Sequence, residues 1–130
     1  MSEILILKEF KKNLISFVDE LIDQFPSEGD LVILRIYFSD QCEIKEVMES
    51  FTQYLNKDDN IIKKNIEERN DSFFLNHNTL FENVIDKTKI IHFKKIWRSP
   101  QLDQEDKETI WKWVDSFVFL SDKYAKNKTS

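Results

Sequence analysis

One glycine, two prolines and one cysteine are all that this 130-residue chain holds of the residues that turn, break or cross-link a backbone. A β-sandwich or barrel needs many tight turns, often at positive φ, which glycine adopts most readily, so this scarcity excludes an all-β fold. It excludes equally a phosphate-cradling loop of the P-loop or dinucleotide kind, in which bare backbone must approach the phosphate. Cys42 has no second cysteine to pair with, which suits a reducing compartment and reads as a plain core or edge thiol. His77 and His92 are the only histidines, and neither has a second ligand at metal-binding spacing: HExxH and CxxC are both missing. A nucleophilic pair of Cys42 with a histidine would have to be made by the fold. The opening MSEILILKEFKKN interrupts a short apolar run with acids and lysines, so it predicts neither a signal peptide nor a membrane span.

What is present is aromatic and charged. Eleven Phe and three Trp supply a large area for burial, enough for a core without disulfide or metal. Residues 1–60 hold 13 acids and 6 bases, a balance of −7, and residues 61–130 hold 11 acids and 13 bases, a balance of +2. The total of −5 argues against a dedicated polyanion binder.

Apolar residues recur with helical period. Leu7, Phe10, Leu14, Phe17, Val18, Leu21 and Phe25 mark a long first helix from Ile6, stopped by Pro26. Ser27 to Asp30 forms a turn whose Asp30 is a candidate cap. Leu31 to Phe38, LVILRIYF, is apolar almost all round and β-branched, which suits a buried strand. It is nevertheless read as helix, because a lone strand leaves backbone groups unpaired and no second run offers a partner. Ile44 to Leu55 is a third helix, with Asp40 or Gln41 near its start, and Ile61 to about Arg69 a fourth, capped by Asp58 or Asp59. Phe73-Phe74-Leu75 reads as a short helical plug and Leu80 to Val84 as another short piece. Residues 86–98 form a helix with Ile90, Phe93 and Trp97 on one face, ended by Ser99-Pro100. The last helix, capped by Asp103, turns Ile110, Trp113, Val114, Phe117, Leu120 and Tyr124 inward, flanked by Trp111 and Val118.

Three features carry chemistry. Phe119 falls opposite the inner stripe of the last helix, beside Lys112, Asp115 and Lys123, so it is either an exposed partner anchor or covered by the chain's N-terminus or a neighbouring loop, two readings of equal weight. Lys87 to Arg98 holds five bases and no acid, so Lys87, Lys94, Lys95 and Arg98 could contact phosphates while Trp97 or His92 stacks on a base. A solvated basic face balanced by the acidic first half explains the same pattern. Glu43 and Glu46, followed by Glu68 and Asp71, have the i, i+3 carboxylate spacing with which facing helices hold Mg²⁺. That spacing resembles the all-α nucleotide pyrophosphohydrolases, although Cys42 stands where a further acid is usual and Asp71 falls beyond the expected end of its helix.

The segments FKKNLISFVDELIDQFP (Phe10 to Pro26), RNDSFFLNHNTLF (Arg69 to Phe81) and HFKKIWRSPQLDQEDKETIWKWVDSFVFLSDKY (His92 to Tyr124) resemble a group of small helical proteins encoded by nucleocytoplasmic large DNA viruses, the giant viruses. The shared features are core aromatics and caps. The resemblance implies a viral origin and a place in the host cytoplasm or the virion, and it transfers no site residue.

The chain is therefore expected to be all-α: one compact domain over residues 1–130, of about five or six helices, with the long first and last helices packed against an apolar second one and a frayed tail over 125–130. The expected function is a non-catalytic, intracellular protein-interaction or small structural module. It would use no cofactor, bind a protein partner through Phe119, Lys112 and Lys123, and stay off membranes. The alternatives are an accessory nucleic-acid binder using the basic face over 87–98 and a Mg²⁺-dependent nucleotide pyrophosphohydrolase.

Overall fold

A computed structural model describes residues 2–56, 60–76 and 94–129. Every regular element among them is helical, with a long first and a long last helix, as the periodicity implies. Helix α1 spans Glu3–Gln24. The Ser2 hydroxyl accepts the Leu5 N–H at 3.2 Å and Glu3 lies in the first turn, so both the orphan amide and the helix dipole are met. Ile6, Phe10, Leu14, Val18 and Leu21 line its buried face. The helix ends where Pro26 disfavours helical geometry at Phe25, whose N–H still reaches the Leu21 carbonyl at 2.8 Å.

Helix α2 (Gly29–Ile36) and a π turn (Tyr37–Gln41) follow, closed by the Cys42 N–H donating to the Tyr37 carbonyl at 2.8 Å. LVILRIYF is thus helical, as its want of a strand partner requires. Two expectations are corrected. Asp30 does not cap α2: Glu28 holds that position without a side-chain cap bond, and Asp30 lies inside the first turn. Nor is α2 an apolar centre between long helices. Leu31 is its one buried residue, whereas Val32, Ile33 and Ile36 stay 44, 50 and 42% exposed. An eight-residue helix lying along α1 has one side to bury, and residues beyond that side face water.

Helix α3 (Ile44–Leu55) begins after extended Cys42, with Asp40 and Gln41 inside the π turn rather than at its start. Helix α4 is Ile61–Glu67, and Asp58 and Asp59, the candidate caps, lie outside the described residues. Asn60 takes the N-cap position at φ 64°, a left-handed conformation that asparagine tolerates. Helix α5 is Asp71–Asn76, residues 94–98 are helical (α6), and α7 is Gln104–Thr129. The Leu80 to Val84 piece and the first part of the 86–98 helix fall outside the described residues, whereas the stop at Ser99-Pro100 is present, with the Ser99 N–H on the Ile96 carbonyl at 3.0 Å. Helix α7 runs to Thr129, so the part of 125–130 that is described is helical.

Asp103 caps α7 as its position implies, and the bond is reciprocal: its Oδ1 accepts the Asp106 N–H at 2.8 Å while the Asp106 carboxylate accepts the Asp103 N–H at 3.2 Å. Asp103→Ala should therefore lower the unfolding free energy by about 1 kcal/mol, read as a lower urea midpoint at unchanged slope. An unaltered midpoint would mean that water replaces the cap without loss.

Two compact units emerge from the contacts: residues 1–53 with 116–130, and residues 54–115. The first has an aromatic core. Phe10 stacks on Phe51 at 6.0 Å between centroids and meets the edge of Phe117 at 5.9 Å, and Phe17 meets Phe117 at 5.8 Å. Buried polar groups there are paired. Asn13 donates to the Ser116 hydroxyl at 2.8 Å, and the Tyr124 hydroxyl donates to Glu49 Oε1 at 3.0 Å. Thr52 spends its hydroxyl proton on the Met48 carbonyl, so Ser121, 2.9 Å away, is the donor between those two hydroxyls.

The second unit is built around α4. Buried Asn65 donates to the Ile61 carbonyl and accepts from Asn70, each at 2.8 Å. The helix ends in a Schellman motif, Asn70 N–H to Asn65 O and Arg69 N–H to Ile66 O, with Arg69 left-handed at φ 54° where glycine is the usual choice. In a chain with a single glycine an arginine takes that position.

Candidate functional site

On α7, Phe117, Leu120, Ser121 and Tyr124 are buried, together with Trp111, which is more deeply covered than Trp113. At 100° per residue, Phe119 must then point away from that stripe. It is 58% exposed, and one turn later the Lys123 ammonium sits 4.4 Å from its ring centroid. A cation over the face of an aromatic ring is attracted by the ring quadrupole, by about 0.5–1 kcal/mol at an exposed site such as this. Phe119 and Lys123 belong to the first unit. Lys112 is exposed on the same helix, about two turns before Phe119.

The basic segment is only partly described. Lys87, His77 and His92 lie outside the described residues; Lys95 and Arg98 are exposed and Lys94 is half-buried. Trp97 has an intramolecular role. Its indole N–H donates to Asp71 Oδ2 at 3.1 Å, its ring meets Trp111 edge-on at 5.8 Å, and the Lys107 ammonium lies 5.4 Å from its centroid. A ring with its N–H bonded and a cation over its face is a poor platform for a base.

Arg69 was not singled out by sequence reasoning and is the most engaged side chain of the second unit. Its guanidinium makes a two-pronged pair with Asp115, one arm at 2.8 Å, donates to the Ile66 carbonyl at 3.1 Å and lies 5.4 Å over Trp111. The hydrogen bonds to Asp115 raise the guanidinium further above its ordinary value, against the opposing pull of burial. The pair is half-exposed, so solvent screens it and its own contribution to stability is small. Only the single-glycine composition could have hinted at Arg69.

Among the described residues no group of three or more histidine, cysteine, aspartate or glutamate side chains is placed to hold an ion. Glu43 and Glu46 lie in the first unit and Glu68 and Asp71 in the second, and Asp71 is engaged with Trp97.

Cys42 is half-buried, and its thiol donates weakly to the Phe38 carbonyl at 3.6 Å. Burial pushes the thiol up from its ordinary value, with Lys11 opposing. Nearby Tyr37 is raised by burial, then by Cys42 and Glu46. Both groups are therefore kept neutral. Iodoacetamide should alkylate Cys42 more slowly than free cysteine at about pH 8, with the rate still climbing above the ordinary thiol range. Mass spectrometry of quenched time points measures this, and a rate at or above that of free cysteine would reveal an activated thiolate instead.

Among the described residues no helix is long and apolar enough to cross a membrane. Comparison of the chain with protein-family models, with curated proteins and with solved structures finds no match. Its function must be argued from its own side chains.

Proposed function

We propose that this chain is a non-catalytic helical module that binds a protein partner, with Phe119 as an anchor of the contact. We propose also that it is of giant-virus origin and acts in the host cytoplasm or the virion. The observation that carries the binding reading is the exposed ring of Phe119 beneath Lys123, in a unit whose Phe10, Phe25, Phe38 and Phe117 are buried and whose Phe17 and Phe51 are half-covered. A ring with few rotatable bonds loses little entropy when a partner covers it, which favours aromatic anchors at interfaces. Capture of one defined partner by the purified protein, lost on Phe119→Ala while the far-ultraviolet spectrum is unchanged, is the expected result. Retention of that partner by Phe119→Ala, or no partner at micromolar concentration, contradicts it.

The nucleic-acid reading keeps the exposed Lys95 and Arg98 in its favour and loses Trp97 as a stacking residue. It requires affinity that falls steeply with salt and weakens when Lys95 and Arg98 are neutralised.

A further inference from the structure

Val32, Ile33 and Ile36 fall at i, i+1 and i+4 on α2, within an arc of roughly 100° on a helix of 3.6 residues per turn. Leu31, fully buried, lies on the other side. The three exposed aliphatic side chains thus form one continuous stripe rather than scattered apolar residues. That distinction matters because single exposed apolar residues are ordinary and contiguous ones are not.

The chain around the stripe is strongly acidic. Residues 15–43 contain Asp19, Glu20, Asp23, Glu28, Asp30, Asp40 and Glu43 and a single base, Arg35. That base is already paired with Asp19. Glu28 and Asp30 precede the stripe along the chain, and exposed Asp40 and Glu43 follow it through the π turn. A second copy of this chain would bring like charges together, on a protein already at −5. A segment carrying cations around an apolar stripe would meet opposite charge where the chain enters and leaves the stripe.

We propose that the Val32, Ile33 and Ile36 face of α2 docks an amphipathic helix whose apolar stripe is bordered by lysine and arginine. The apolar contact supplies the affinity, read at i, i+3 and i+4 positions of the incoming helix, and the acids select for cations and speed the encounter. The proposal rests on the reading of the chain as a protein-interaction module but uses residues other than Phe119, so the two can fail separately.

The probe is a synthetic helix of leucine and lysine about five turns long. One control keeps its composition and scrambles the leucines, and a second keeps the pattern with glutamate in place of lysine. Binding is followed by fluorescence anisotropy and by the methyl resonances of the full-length protein. The patterned lysine helix should bind about tenfold or more tighter than either control, and it should shift the methyls of Val32, Ile33 and Ile36. Ile33→Ser and Ile36→Ser should each weaken it by roughly tenfold with the helical spectrum retained, while Phe119→Ala leaves it unchanged. Equal binding of the scrambled peptide would show that charge alone acts, and shifts elsewhere would place the contact on another surface. Either result overturns the proposal, as does sedimentation showing self-association that Ile33→Ser abolishes. If the peptide ignores α2 while partner capture still depends on Phe119, the module reading stands and this one falls.

Discussion

Phe10→Ala is expected to lower the unfolding free energy by about 3–5 kcal/mol. Phe10 is 2% exposed, stacked on Phe51 and met edge-on by Phe117, so truncation removes a ring from the centre of the first unit and leaves a cavity between two others. The lost transfer energy and the cavity add, and each aromatic pair contributes about 0.5–1.5 kcal/mol beyond its area. A domain of ordinary stability has about 5–15 kcal/mol in all, so the variant should be partly unfolded at moderate urea. Equilibrium denaturation by urea gives the answer. A loss below about 1 kcal/mol would mean that these rings do not form one packed cluster.

Leu31→Ala and Ile33→Ala, two residues apart in the same helix, should differ sharply: about 2–5 kcal/mol for the first and within about 0.5 kcal/mol for the second. Leu31 is wholly covered, whereas half of Ile33 is in water. Replacing Ile33 also exchanges a β-branched residue for the best helix former, which offsets what little packing is lost. The comparison is internal, since both variants share one helix and one unfolded state. Similar costs at the two positions would show that something covers Ile33 in solution, and the docking face would vanish with that result.

Helix positions were largely legible in the sequence because the signals were local. Pro26 ends α1, Ser99-Pro100 and Asp103 separate α6 from α7, and the period of apolar residues runs between such signals, although α1 begins at Glu3, ahead of the expected Ile6, because Ser2 caps it. The angular position of Phe119 was legible for the same reason, since the angle between residues on one helix needs no knowledge of its neighbours, whereas its exposure depends on what packs there. Burial on α2 was not. LVILRIYF reads as apolar nearly all round, and which side meets α1 depends on how the turn at residues 25–28 aims the chain. The Arg69 contacts with Asp115 and Trp111 join residues far apart in sequence, which no periodicity reports. Glu68 and Asp71, read as an i, i+3 pair, fall at the end of α4 and the start of α5 rather than on one helix, because Arg69 turns left-handed between them.

Aliphatic side chains divide between a covered core and an exposed stripe on α2. Isoleucine methyl relaxation in the presence of a soluble paramagnetic agent tests it directly. Ile4, Ile33 and Ile36 should be strongly broadened, and Ile6, Ile62, Ile66 and Ile96 protected. Protection of Ile33 and Ile36 to the level of Ile6 would contradict it.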